Sequence, residues 1–344
     1  MGEVLITGGV GFIGCNTARK FLDLGYRVIV LDNLSRKGAE LNLAWLQEQG
    51  PIDFIRADIR DADSVRTAIQ RCPRLDAVIH LASQVAVTTS VQDPREDFEV
   101  NALGTFNLLE AVRLSQGDPV FLFASTNKVY GGLDGVTVVE RDGRYAYRDL
   151  PRGIGEDHPL DFHSPYGCSK GAADQYVRDY GRIYGLRTVV FRQSCIYGER
   201  QFGVEDQGWV AWFTIAAVLG RPLVIYGDGK QVRDLLFIED LVEAYRLALE
   251  RIDQASGKIY NLGGGPENVL SLLELIAMLE GLLGRKIPYS FEDWRPGDQP
   301  VFICDIDKAS RELNWMPRVS PKEGVRRLYA WVAENQDLLR TALS

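Results

Sequence analysis

The chain has 344 residues, 46% of them hydrophobic and 25% charged, enough to bury a sizeable core in two lobes or one large α/β unit. Its formal net charge is −8 and no basic run is interleaved with aromatics, which argues against a nucleic-acid or anionic-membrane partner. Any phosphate it binds must be met by local arginines.

Cys15, Cys72, Cys168, Cys195 and Cys304 are scattered, odd in number and form no Cys-x-x-Cys, so neither a disulfide framework nor a zinc cluster is expected. No basic and apolar signal precedes the first strand pattern, and no apolar run reaches the ~18 residues of a membrane span. The expected setting is the cytoplasm.

Val4-Leu5-Ile6-Thr7 reads as a buried strand, followed by Gly8-Gly9-Val10-Gly11-Phe12-Ile13-Gly14 and a helical pattern to Leu24, closed by Gly25. Strand, glycine turn and helix in this order let a backbone approach a pyrophosphate, whose charge meets the free N–H groups of the helix N-terminus. Gly9, Gly11 and Gly14 fit G-x-G-x-x-G. A second apolar run, Val28 to Leu31, ends at Asp32, the interval at which an acid meets adenosine ribose hydroxyls. Arg36 and Lys37 lie close by and complicate a preference for NAD over NADP.

The alternation continues with a strand at Phe54-Ile55 ending in Asp58, a helix after Asp61, a strand Ala77 to Leu81, a long helix Glu96 to Leu114, and a strand Val120 to Phe123. Strands alternating with helices predict a parallel sheet whose ligands sit at the carboxyl ends of the strands. Asp58, Ala82 and Ser125 fall there. After Ser125 to Gly131 comes a Gly-rich, charged, irregular stretch to about His163, read as a lid or a surface insertion.

Tyr166 to Tyr184 reads as a helix, and Thr188 to Phe191 as a strand. Tyr166 and Lys170 lie four apart, on one helical face. An ammonium beside a phenol favours the phenolate, which makes Tyr166 a candidate general base.

Beyond Gln193 the pattern is mixed. It has a helix from Val210 to Leu219, a strand Leu223 to Tyr226, a turn at Gly227-Asp228-Gly229, a capping box at Ser271 and Glu274 before a leucine-rich helix closed by Gly284, and a final helix Pro321 to Asn335. Of Trp209, Trp212 and Phe213, two are expected in the core. His80, inside its strand, reads as a core residue, and His163 as a loop residue. With His158 they form no ligand spacing, and no metal is expected.

Together, Thr7 to Gly14, Asp32, Asp58, Thr126, Tyr166 and Lys170 resemble the extended short-chain dehydrogenase/reductase family, the NAD-dependent sugar-nucleotide epimerases and dehydratases. The likeness runs end to end and takes in Arg192, Tyr197-Gly198, Val232-Arg233-Asp234, Phe237-Ile238-Glu239-Asp240 and Arg295-Pro296-Gly297-Asp298. Ser125 to Gly131, Asp161 to Gln175, Tyr197 with Arg200-Gln201-Phe202, and Asp206 to Trp209 are most similar to the subgroup of CDP-paratose/CDP-tyvelose 2-epimerases.

The resemblance implies an α/β fold: a Rossmann-type doubly wound parallel sheet with a smaller mixed α/β C-terminal substrate lobe. Residues 1–193, completed by 232–262, would form the dinucleotide-binding domain; residues 194–231 and 263–344 would form the nucleotide-sugar lobe. It implies a CDP-activated hexose inverted at C2 through a transient keto-sugar, with NAD as cofactor and a homodimer or homotetramer built on the 96–114 and 166–184 helices.

The implied roles are Tyr166 as acid/base, Lys170 orienting the cofactor ribose and depressing the tyrosine pKa, and Thr126 hydrogen-bonding the reacting oxygen. Ser125 is the rival for that third role. The cofactor would be held by Gly8, Gly11, Phe12 and Ile13 in the glycine turn, and by Asp32, Asn33, Asp58 and Ile59 beyond the second and third strands. Leu81, Ala82 and Asn101 follow, then Ser125, Tyr166, Lys170 and Gln193. The substrate would be met by Gln84, Thr126, Asn127, Arg200, Gln207, Arg233 and Arg295, since a guanidinium suits a diphosphate.

Three alternatives remain. A UDP- or other nucleotide-sugar 4-epimerase would present C4 instead. A 4,6-dehydratase would carry an Asp-Glu pair where this chain has Asn127-Lys128. A non-catalytic NAD-binding protein would have no need for Thr126, Tyr166 and Lys170 together.

Overall fold

In the computed structural model, residues 2–295 and 298–343 are described; Pro296 and Gly297 of the Arg-Pro-Gly-Asp stretch lie outside them. The chain begins with β1 (Glu3–Thr7), α1 (Phe12–Asp23), β2 (Arg27–Asp32), α2 (Ala39–Gln49), β3 (Ile52–Arg56), α3 (Ala62–Gln70) and β4 (Leu75–His80). Then come α4 (Val87–Gln92), α5 (Pro94–Phe98), a π-turn (Glu99–Leu103), α6 (Gly104–Arg113), β5 (Val120–Thr126) and a 3-10 turn (Asn127–Tyr130). A hairpin of β6 (Val138–Arg141) and β7 (Arg144–Tyr147) precedes α7 (Ser164–Tyr184), β8 (Thr188–Gln193) and β9 (Ile196–Tyr197).

The remainder comprises α8 (Trp209–Val218), β10 (Leu223–Tyr226), β11 (Val232–Asp234), β12 (Leu236–Phe237), α9 (Ile238–Glu250), α10 (Ile252–Ala255), β13 (Lys258–Leu262), β14 (Val269–Ser271) and α11 (Leu272–Leu283). It ends with β15 (Tyr289–Glu292), β16 (Val301–Phe302), α12 (Asp307–Leu313), α13 (Pro321–Glu334) and α14 (Gln336–Leu343).

Seven strands form one parallel sheet in the order β13-β8-β5-β4-β1-β2-β3. Alternate residues of each strand point to opposite faces, and two cores result. Val4, Ile6, Val28 and Val30 pack on one face with Ala18 and Phe21 of α1, Leu46 of α2 and Leu241 of α9. Leu5, Ile29, Val78, Phe121 and Phe123 pack on the other with Val65 of α3, Leu108 of α6 and Val177 of α7. This is the Rossmann-type doubly wound sheet. The chain leaves β1 toward β2 on one side and has β4 on the other, so the strand order reverses there and opens a crevice at the carboxyl ends.

Outside that sheet the arrangement is mixed α/β: β10 pairs with β15, and β11 pairs antiparallel with β14 and parallel with β16, so residues 232–234 join strands of the smaller lobe although 232–262 was expected to complete the dinucleotide-binding domain. Ser271 and Glu274 form the expected capping box on α11, whose C-cap is Gly284. Trp209, Trp212 and Phe213 all pack against the first core, one more than expected.

Several stretches differ from the sequence expectation. Helices α2, α4, α9 and α12 and strand β13 fall where none is predicted. The long helix is interrupted by the π-turn, where the Gly104 N–H reaches Glu99 O. The stretch before His163 is not irregular throughout, because Asp142 and Gly143, both at positive φ, make the tight turn of the β6/β7 hairpin. Tyr147 Oη donates to Val301 O at 3.0 Å, and Tyr147 joins Val129, Tyr130, Ile154, Val232 and Phe302 in a third core, which ties the hairpin to the smaller lobe.

Candidate active site

The crevice begins at the glycine turn. Gly8 sits at φ 65°, and a Cβ there would meet Ala82 N at 2.7 Å; a Cβ on Gly14 would meet Gly8 O at 2.0 Å. The backbone is therefore pressed against both the end of β4 and its own turn. Gly11 is the N-cap of α1 and supplies no side chain to the helix, so the amides of the first turn, Phe12 and Ile13 among them, remain for an outside anion. At the end of β2, Asp32 accepts from Leu34 N at 2.9 Å and Val10 N at 3.3 Å, and burial pushes its pKa up. Asn33 Nδ2 donates to Asp58 Oδ2 at 2.9 Å, while Arg60 holds Asp58 down to about 2. Ile59 is buried; Arg36 and Lys37 are exposed. A cradle with no room for side chains, a free helix N-terminus and a rim acid together fit a dinucleotide.

Across the crevice, α7 presents Tyr166 and Lys170 on one buried face, 8% and 4% exposed. Tyr166 N donates to Ser90 Oγ at 3.1 Å. Burial drives the phenol up to about 12, partly offset by the Thr126 side chain facing it. Burial also brings Lys170 down to about 7, against the upward pull of Asp174 and Asp97. The Lys170 ammonium donates to Ala124 O at 2.7 Å and lies 4.4 Å from the centre of the Phe123 ring. The expectation that Lys170 depresses the tyrosine pKa concerns the site with cofactor bound; without cofactor, burial dominates and the lysine is bonded to the end of β5.

Thr126 and Ser125 are neighbours on β5 and point to opposite faces. Ser125 Oγ donates to Asp174 Oδ2 at 2.7 Å, and the same carboxylate takes Arg192 Nε at 3.0 Å in a fully buried pair. Thr126 is the residue left at the phenol. Its Oγ1 accepts from Lys128 N at 3.2 Å and sits 3.4 Å from Asn127 Oδ1.

Behind Tyr166 and Lys170 lies a polar network that the sequence reading missed in part. Asn101, aimed by the π-turn, accepts from Gln84 N and Ser83 Oγ and donates to Gln84 O, Asp97 Oδ1 and Ser169 Oγ, all at 2.8 to 3.1 Å. Ser169 donates to Asp97, and Gln84 Nε2 donates to Asp97 Oδ1 and Ala86 O. Asn101 and Gln84 thus spend their amides on the loop after Leu81 and Ala82. Asp97 and Ser169 are 72 residues apart, and no local pattern announces the pair. Gln193, at the end of β8, donates to Tyr245 Oη.

The candidate substrate residues divide. Arg233 on β11 pairs with Asp298 at 2.6 Å, and Arg295 pairs with Asp206 at 2.9 Å while stacking 3.9 Å over the Tyr226 ring. Gln207 is half-buried in the same loop as Asp206. Arg200 does not join them. It is buried, donates to Asn42 Oδ1 and Leu41 O, and stacks on Trp45, so it fastens the segment after β9 to α2. His80 is a core residue, bonded to Thr7 and Thr105 and lowered to about 3; His163 is exposed. Among the described residues no His, Cys, Asp and Glu cluster suits a metal ion.

Residues 4–263 match the family model described as "NAD dependent epimerase/dehydratase family". The CDP-paratose 2-epimerase of Salmonella typhi is 48% identical, over 96% of this chain and 99% of that relative. The UDP-glucose 4-epimerase of Thermotoga maritima, solved with UDP-glucose, superposes with TM-score 0.82 at 30% identity, covering 97% of this chain and 99% of its own. The UDP-glucuronic acid 4-epimerase of Bacillus cereus, solved with UDP-glucuronic acid and NAD, gives TM-score 0.82 at 29% identity, covering 96% and 99%.

Proposed function

This chain belongs to the NAD dependent epimerase/dehydratase family and is an NAD-dependent nucleotide-sugar epimerase; from that premise we propose that it inverts C2 of a CDP-activated hexose of the paratose/tyvelose type. The observation that carries the reading is the 48% identity to the Salmonella typhi 2-epimerase along nearly the whole of both chains. The Asn127-Lys128 pair beside Thr126 supports it, since the acid pair of a dehydratase is missing.

In this reading Gly8, Gly11, Phe12 and Ile13 hold the pyrophosphate, Asp32 a ribose, and Lys170, once released from Ala124 O, the second ribose. NAD bound there supplies the hydride acceptor and, when reduced, the donor. Tyr166 takes the proton from the reacting hydroxyl and later returns it, and Thr126 orients that oxygen. With its pKa at about 12, the buried Tyr166 phenol is almost wholly protonated at neutral pH and carries little phenolate to act as base. Tyr166 therefore acts only with cationic charge brought close to it. Asn101, Asp97 and Ser169 hold α7 and the loop after β4 in register. Arg233 and Arg295 exchange Asp298 and Asp206 for the diphosphate, where paired donors fit the phosphate oxygens.

The proposal includes the cytoplasm as setting, supported by five free cysteines. It also includes a homodimer through α5 to α7, supported by the exposed Phe98, Phe106, Tyr176, Ile183 and Tyr184 on those helices; a monomer by light scattering would remove the dimer alone. The test of function is incubation with CDP-paratose, following the ring-proton couplings by NMR. Inversion at C2 is expected. Inversion of a UDP-sugar at C4, with CDP-paratose untouched, would overturn the assignment.

A further inference from the structure

The turn after Thr126 carries a cation that the mechanism above leaves unused. Lys128 N donates to Thr126 Oγ1 at 3.2 Å, so its backbone is fixed to the residue that faces the phenol. Its side chain is half-buried, and its ammonium has no hydrogen bond or ion pair among the described residues. It lies within electrostatic reach of Arg233, Asp298 and the Cys195 thiol. Asp298 is already paired with Arg233.

Two cations beside one carboxylate leave a positive excess in a partly dehydrated cleft. Burial and Arg233 both push the Lys128 pKa down, as expected of a cation that lacks its anion. The chemistry of the sugar says which anion. C2 is bonded to C1, which carries the diphosphate, whereas C4 lies across the ring. Bringing C2 to Tyr166 therefore draws the β-phosphate close to Thr126, and presenting C4 holds it a ring's width further off. An acidic residue at position 128 would repel that phosphate, while a lysine attracts it.

We propose that Lys128 is, with Arg233, a cation for the substrate's β-phosphate, and that its place beside Thr126 holds the sugar by its C1 end so that C2 meets the phenol. This rests on the C2 reading above. The contact itself is tested without turnover, by calorimetric affinities of the NAD-loaded protein for CDP and CMP. Lys128→Met should weaken CDP by about ten- to a hundred-fold, the scale of a lost charge-assisted hydrogen bond, and leave CMP within about two-fold. Lys128→Arg should keep the affinity for CDP, and unchanged NAD content in both variants shows that the cleft is formed.

CDP and CMP weakened equally, or CDP unaffected, overturns the proposal. If the cytidine pair does not bind, the same split is read on UDP and UMP, which separates the contact from the identity of the base. A wild type that inverts another carbon removes the C2 argument while the split in Lys128→Met keeps the phosphate contact.

Discussion

Replacing Lys170 by methionine should stabilise the cofactor-free protein while removing its activity. Lys170 is 4% exposed, and its pKa falls from 10.5 to about 7. At about 1.4 kcal/mol per pH unit, a charged Lys170 at neutral pH costs about 4 kcal/mol relative to an uncharged side chain of similar shape. Methionine gives up the bond to Ala124 O and the contact over Phe123, together ~1–3 kcal/mol. The net is a gain of roughly 1–3 kcal/mol.

The sign follows from proton counts. A folded pKa below the unfolded one means that the unfolded chain binds more protons between pH 7 and 10.5. The stability of the wild type therefore rises with pH through that window, is fully present above it, and is lost as pH falls through about 7. Urea melts of both proteins stripped of cofactor, at about pH 7, 8 and 10, should show the methionine advantage shrinking as pH rises. A wild type more stable than the variant at neutral pH, or a difference indifferent to pH, would refute the reasoning.

Tyr166→Phe should fold and bind NAD but lose turnover by ~10²-fold or more, the scale of a positioned acid/base; near-normal steady-state rates would move the base elsewhere. Asp32, held by Val10 N and Leu34 N, should repel a ribose phosphate, so titration of the apo-protein should give tighter binding of NAD than of NADP, and equal affinities would sink this. A CDP-sugar deuterated at C2 should keep its label through inversion in ordinary water, as measured by mass spectrometry. Loss of label to solvent would mean deprotonation and reprotonation.

What the sequence disclosed is what the chemistry keeps local. The glycine turn, Asp32 and the Tyr166/Lys170 pair are each written within one element or one connection, and the alternating strands follow from period and length. The network behind them is not local: Asp97 meets Ser169 across 72 residues, and Arg200 meets Asn42 across 158. A residue type announces that a guanidinium wants a partner and not which one, so Arg200 reads as a substrate contact although the fold uses it as a fastener. The Asp142-Gly143 pair is a local turn signal, but the charged residues around it give the same pattern as a surface loop. The π-turn left no local mark in the residue pattern; Gly104 at its end packs so closely on Ile59 that a Cβ would approach to 2.6 Å.

That wide turn also bears on how the gene can change. The extra residue between Glu99 and Gly104 is absorbed by the widening of the turn, so the segment before it keeps its rotation relative to α6. Deleting one codon within 99–103 would restore ordinary winding and leave the flanking segments in nearly the same register. Asp97 would still face Ser169, and the change would fall on Asn101 inside the turn, whose amide holds the loop after β4. The helix can therefore lose a residue there without moving its ends, and what it forfeits is the aim of a single amide toward the crevice.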